Sequence, residues 1–467
     1  MTSTVQLPLW LFILILIFAT VTFASHFLFP SVRWFLRRRA ERLVEELNKR
    51  LERPIEPFKL ARRTDTIQRL IYDPEVVKAV TEHAAATRVR EDVAFETAKR
   101  YAREIVPGFS AQAYFGFATR AARWLSKKLF TVRLGRYDAA QQAAIGSDAT
   151  VVYVMNHRSN MDYVLVTYLI ANRAALSYAV GEWARIWPLQ PLIRALGGYF
   201  IRRRSRNALY RKVLARYVQM ATQAGVAQAI FPEGGLSQDG RVHQPKLGLL
   251  SYIVSEFDPG GRDVVFVPVA LNYDRVIEDT LLIEARRKGE KRYRGTIPSA
   301  TAFTMRYIAR RFTHRAQRFG TAAVSFGEPL SLASFGPDRD ATDVARELMG
   351  RIGRVMPVLP VPLVSSLLIG TEGEVEETDL LEQLRDRLGV LAEDGAVILL
   401  PSDDPAETLE TGLAHLALRK IVARENGRVQ VRPERADLVA FYAASISRLG
   451  KGAPPLPHID VGESIET

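Results

Sequence analysis

Between about residue 131 and residue 331, short β-rich runs alternate with longer helical stretches, and this alternation limits the fold of the 467-residue chain more than any other feature. The runs are TVVYVM, LSYAV, GYFIR, AQAIF, VVFVPVAL and AAVSFG. Runs that are apolar at nearly every position suit strands buried on both faces. Strands separated by helices call for crossover connections, which make neighbouring strands parallel. The expected class is therefore α/β: a mixed, largely parallel sheet flanked by helices, over residues 131–335.

The flanks read differently. Residues 33–130 carry apolar positions at three- and four-residue spacings, as in DPEVVKAVTEHAAATR, and are expected to form a helical N-terminal domain. Asp73 with Pro74 just behind it is a helix start. Residues 336–450 are expected to be a mostly helical C-terminal region with one hairpin strand, RVQVRPE. The acidic, Pro- and Gly-containing tail 451–467 is expected to be disordered. Ahead of all this, the uncharged stretch LPLWLFILILIFATVTFAS is long enough for a transmembrane helix, within residues 7–29. Basic residues follow it in VRWFLRRRAER, so the positive-inside rule puts the rest of the chain in the cytoplasm. A cleaved signal peptide would need a basic start, which MTSTVQ lacks.

The chain has no cysteine, which excludes disulfides and thiolate metal sites. Its seven histidines are scattered, without a paired-ligand motif, and no metal site is expected. Neither a GxSxG elbow nor a GxGxxG fingerprint occurs. A formal charge of +13 points to an anionic partner. Anionic membrane lipid suits the basic amphipathic stretch RRRSRNALYRKVLARYVQM, whereas nucleic acid is disfavoured because no interleaved aromatics accompany it.

Ligands of open α/β sheets bind beyond the carboxyl ends of the strands. Four polar clusters hold that position here: NHRSNMD, RRRSR, PEGGLSQDGR and NYDR. In the first, His157 and Asp162 can meet if the histidine lies in the loop and the aspartate in the first helical turn. The carboxylate then fixes the imidazole tautomer and leaves the other nitrogen free to take a proton. The other reading makes Asp162 an early-turn acid favoured by the helix dipole, and spacing alone leaves both open. Arg202 and Arg203 are adjacent at a strand end and point to opposite faces. Gly234 and Gly235 let backbone approach a ligand, or make a plain turn. Trp183 and Trp187, at i and i+4, are either core or an acyl-facing surface.

Together the four clusters resemble the blocks of the bacterial membrane-bound glycerol-3-phosphate acyltransferases, within the His-X4-Asp glycerolipid acyltransferases. HRSNMDYVLVTYL is similar to the first block, GGYFIRRRSRNALYRKVLARYV to the second, FPEGGLSQDGRVHQPKLGLLS to the third and VFVPVALNYDRVIED to the fourth. The resemblance extends over about residues 70–450. It implies an inner-membrane enzyme with its catalytic domain in the cytoplasm and no cofactor. The enzyme would move an acyl group from acyl carrier protein or coenzyme A to the sn-1 hydroxyl of glycerol 3-phosphate.

By the same resemblance His157 is the base and Asp162 its orienting acid, with Arg158 and Ser159 beside them as substrate-binding residues. Phe200, Arg202 and Arg203 belong to the second block, with the arginines on the acceptor phosphate. Glu233, Gly234 and Ser237 shape the phosphate site, and Pro268 the acyl side. Leu236 and Gln238 stand where the third block usually has arginines. A 1-acylglycerol-3-phosphate acyltransferase and a non-enzymatic lipid-binding relative stay open as alternatives.

Overall fold

The computed structural model describes residues 8–449 except 172, 186–188, 203, 204, 206, 290–318, 337–339 and 372. The chain divides into two compact units, Met1–Pro54 and Ile55–Thr467. Among its described residues the first holds the helix α1 (Leu9–Arg50), whose Trp10, Phe12 and Ile15 are exposed. Among the described residues no helix is long and apolar enough to cross a membrane. The second half of the expected 7–29 segment falls on side chains outside the described ones. α1 passes position 33 without a break, so residues 33–50 extend this helix instead of opening the expected bundle. The reason is local: RRRAERLVEELNKR is built of strong helix formers with no stop signal.

In the second unit the main sheet runs in the order β1-β7-β6-β2-β5-β3-β4. The strands are β1 (Thr131–Leu134), β2 (Thr150–Met155), β3 (Ser177–Gly181), β4 (Tyr199–Ile201), β5 (Gln228–Ile230), β6 (Val264–Tyr273) and β7 (Thr321–Phe326); a short β8 (Leu330–Ser331) also pairs with β6. β6, β2, β5, β3 and β4 are mutually parallel, whereas β7 and β8 pair antiparallel with β6. The sheet is mixed and mostly parallel, with helices on both faces.

β2 is buried at all six positions. Its residues alternate between two cores, as strand geometry requires. Val151, Tyr153 and Met155 face one core, shared with α11 (Pro360–Leu367), α13 (Pro405–Leu418) and α14 (Ala436–Ala443) of the C-terminal region. Val152 and Val154 face the other, shared with α2 (Arg63–Ile71), α3 (Pro74–Thr87), α4 (Glu91–Ile105), α7 (Ala208–Gln223) and α10 (Ala341–Arg354). Of the remaining helices used below, α5 spans Thr119–Leu129, α6 Met161–Ile170, α8 Gly248–Val254, α9 Asp279–Arg287 and α12 Glu377–Glu393. Asp73 caps α3 by accepting from the Glu75 amide at 3.1 Å, with Pro74 at its first position. The RVQV segment pairs with Val422–Glu425 and Glu374–Glu376 in a small antiparallel sheet.

Pro268 lies in the middle of β6, opposite Val154. A proline inside a sheet removes a ladder donor and is tolerated at a bulge. Here the strand opposite changes from β7 to β8, and Gly327 between them donates its amide to the Pro268 carbonyl at 2.8 Å.

Candidate active site

The loop after β2 is held in place before any catalytic group is considered. The Asn156 side chain donates to the Leu271 carbonyl (2.9 Å) and accepts from the Leu271 amide (2.8 Å). It thus prolongs the β2–β6 ladder by one side chain. His157 is gripped by its backbone on both sides: its amide donates to Glu233 Oε1 at 2.8 Å, and its carbonyl accepts from the Ser237 amide at 2.9 Å. The third polar cluster therefore fixes the first. A turn makes this possible, with Gly234 at φ +66° donating to the Phe231 carbonyl.

α6 begins at Met161, so Asp162 is in its first turn and His157 is in the loop. His157 and Asp162 are 3% and 0% exposed. His157 Nδ1 lies 2.9 Å from Asp162 Oδ2, which also accepts from the amides of Arg158 (2.7 Å) and Ser159 (3.0 Å). Asp162 Oδ1 accepts from the Tyr273 hydroxyl at 2.6 Å. A carboxylate surrounded by donors makes Nδ1 the protonated nitrogen of a neutral imidazole and leaves the lone pair on Nε2. Among the described residues nothing is hydrogen-bonded to that Nε2. Phe231 stacks on the ring at 4.1 Å between centroids, and Tyr163 meets it edge-on at 5.5 Å. The ring is thus fixed in plane and tautomer with one basic nitrogen unengaged.

Ser159 and Asn160 are turned to a different acid. Ser159 Oγ donates to Glu278 Oε2 at 2.8 Å, and the Asn160 side chain and amide donate to Oε1 at 3.1 and 3.3 Å. Burial raises the Glu278 carboxyl above its ordinary pKa despite these bonds. Burial likewise pushes Glu233 up to about 7, against the amides of His243 and His157 that it accepts. Glu233 is a strut behind the histidine in this structure. Ser237 Oγ sits 2.7 Å from the Arg241 carbonyl, within its own loop.

Arg158 is buried. It donates Nη1 to the Gly240 carbonyl and lies 5.1 Å from the Phe441 ring, while Nε and Nη2 have no partner. Phe200 is fully buried in β4. Arg202 donates Nε and Nη2 to the two oxygens of Glu104, at 2.8 and 2.6 Å, and Arg185 shares that carboxylate at 2.6 Å. Burial raises Glu104, but the two arginines outweigh it and hold the carboxyl below its usual range. The bidentate pair occupies much of the guanidinium expected on a phosphate. Arg203 and Trp187 lie outside the described residues, as does the Trp183 side chain. Pro268 is buried within the sheet, paired with Val154 of β2.

Tyr273 and Glu278 escaped the sequence reading. Both belong to the fourth block, NYDRVIED, which follows a strand, and the strand-end rule that marked His157 covers them too. Next to the histidine's aromatic neighbour Tyr163 opens an apolar cavity of about 320 Å3, lined by Asn160, Tyr114, Phe117, Leu125 and Leu192. Among the described residues no group of acids and histidines could hold a metal ion.

The family model described as Acyltransferase matches residues 116–272, which include the whole loop around His157. A second, described as Glycerol-3-phosphate acyltransferase C-terminal region, matches residues 308–446. Over these two stretches the chain is similar to the glycerol-3-phosphate acyltransferase family. A glycerol-3-phosphate acyltransferase of Shewanella sp. (strain ANA-3) is 29% identical over 353 residues, 70% of this chain and 42% of the relative. That of Actinobacillus succinogenes is 26% identical over 422 residues, 84% of this chain and 50% of the relative. The chain thus spans about half the length of the curated relatives it matches. Among solved structures, the 1-acyl-sn-glycerophosphate acyltransferase of Thermotoga maritima is 20% identical, covering 55% of this chain and 80% of that one. Its TM-score of 0.32 carries no argument.

Proposed function

We propose that this acyltransferase-family chain transfers a fatty acyl group from an acyl carrier protein or coenzyme A thioester to the sn-1 hydroxyl of glycerol 3-phosphate. The observation that carries the proposal is the buried His157–Asp162 pair, with Nδ1 held and Nε2 unengaged. In the mechanism, His157 Nε2 takes the proton of the acceptor hydroxyl as its oxygen attacks the thioester carbonyl. The tetrahedral intermediate collapses with loss of the thiolate, which recovers that proton from Nε2. The products are lysophosphatidate and the free thiol, and no acyl-enzyme forms. Asp162 stabilises the transient imidazolium, and Tyr273 keeps the carboxylate turned toward it.

The apolar cavity beside Tyr163 is the proposed seat of the acyl chain. Arg202 and Arg203 are the proposed contacts of the acceptor phosphate. Arg202 would serve through Nη1, since Nε and Nη2 are on Glu104. The apolar start of α1 is the proposed anchor to the inner membrane, with the catalytic unit in the cytoplasm. Product analysis in membranes given each candidate acceptor tests the reading. Labelled glycerol 3-phosphate is expected to appear in lysophosphatidate. Labelling confined to phosphatidate, with 1-acylglycerol 3-phosphate as the used acceptor, would overturn the acceptor assignment.

A further inference from the structure

A cavity of about 620 Å3 lies between the third polar cluster and the C-terminal region. Gln238, Asp239 and Arg241 form one wall. Arg286 and Arg287 at the end of α9, and Arg387 of α12, form the others. Both acids of the lining are already paired. Asp239 Oδ1 lies 2.8 Å from His243 Nε2, and Asp437 Oδ2 accepts from Arg287 Nε at 2.7 Å. Among the described residues Arg241, Arg286 and Arg387 face no carboxylate at ion-pair distance; Arg387 donates only to the Leu449 carbonyl, at 2.8 Å. More positive charge lies just behind the wall. Arg158 reaches Gly240, between Asp239 and Arg241, with two guanidinium nitrogens unpartnered, and it lies over Phe441, which lines the cavity. Half-buried Arg448 lies close enough to Arg241 and Glu233 to sense both charges.

Converging guanidinium groups repel one another, and an anion with several oxygens relieves that repulsion. One arginine suffices for a carboxylate, so three that make no ion pair among the described residues, with Asp239 felt by Arg286 only at longer range, suit a phosphate. The volume is in the range of sites for whole small molecules. The loop that lines the cavity is the one that carries Leu236 and Gln238, and its Ser237 amide holds the His157 carbonyl. We propose that this cavity is a phosphate-ester site, in which Arg241, Arg286 and Arg387 receive a phosphate of one of the two substrates that meet at His157. The identity of the bound molecule as a substrate rests on the acyl-transfer reading; the affinity of the cavity for a phosphate ester does not.

Equilibrium binding to the full chain in detergent tests it, with glycerol 3-phosphate and coenzyme A as separate probes. Arg241→Gln combined with Arg387→Gln is expected to weaken one probe about tenfold or more, while His157→Ala leaves that affinity unchanged. The weakened probe identifies the substrate: loss for coenzyme A makes the cavity a donor phosphate site, whereas loss for glycerol 3-phosphate moves the acceptor phosphate here and away from Arg202 and Arg203. Should the double variant not fold, as judged by its melting transition, the exposed Arg286→Gln carries the test with an expected loss of about threefold or more. Affinities for both probes within twofold of wild type, or no binding of either by the wild type, would overturn the proposal. Neither result bears on turnover at His157. Loss of acyl transfer with binding intact would leave the cavity standing.

Discussion

Two buried glutamates, Glu233 and Glu104, are shifted in opposite directions by their surroundings. Glu233 stands behind His157 with the backbone amides of His157 and His243 on its oxygens, and burial raises its pKa to about 7. Glu104 stands under Arg202 and Arg185, which hold its pKa down against burial. The first region is built of an imidazole held by the Asp162 carboxylate and walled by aromatic rings. The second is ionic and partly open, with Arg202 36% exposed on its side chain. The difference teaches that one strand-end rule produces two kinds of site. One holds an imidazole in a buried, aromatic-walled setting, and the other balances charge at a partly exposed arginine–carboxylate pair.

Asp162→Asn should break the buried histidine site most severely. The amide cannot fix the Nδ1–H tautomer or stabilise the imidazolium, and a fall in kcat of about a thousandfold to ten-thousandfold is expected at unchanged acceptor KM. A kcat within tenfold of wild type would remove Asp162 from the mechanism. Arg202→Ala strikes the ionic region instead. It should raise the acceptor KM about tenfold or more while the donor KM stays constant. An equal change in both would make the Glu104 pair purely structural. Tyr273→Phe, which removes one hydrogen bond to Asp162, should lower kcat about tenfold without altering either KM.

The smallest effects sharpen the contrast between the glutamates by sign. A raised carboxyl favours the folded state at low pH, and that contribution is lost as pH rises from about 4.5 through about 7. Glu233→Gln should therefore gain melting temperature relative to wild type over that interval. A lowered carboxyl contributes above its unfolded pKa, and the contribution is lost as pH falls below it. Glu104→Gln should therefore be less stable than wild type at neutral pH, with the gap closing on acidification below about 4.5. Melting curves across pH for both variants would show opposite slopes; slopes of the same sign would refute the contrast.

Much of the sheet was legible because its signals are local. Each of the six apolar runs contains a strand, and the His157–Asp162 contact joins residues five apart. What escaped depends on distant partners. Tyr273 reaches Asp162 across 111 positions, Glu278 reaches Ser159 across 119, and Glu104 meets Arg202 across 98. Periodicity cannot reveal such pairs. The edge strand β1 is only TVRL, exposed or half-buried along its length, and carries no apolar run to find. α1 outran its expected limit although Pro30 precedes residue 33, because the RRRAERLVEELNKR stretch that follows is built of strong helix formers.

The central claim is that His157 Nε2 takes the proton of the acceptor hydroxyl. It is tested most directly by measuring acyl transfer from a thioester to labelled glycerol 3-phosphate with wild type and His157→Ala at matched melting temperature. The account predicts labelled lysophosphatidate from wild type and a loss of at least about a thousandfold in the variant. Turnover retained by a folded His157→Ala would contradict it.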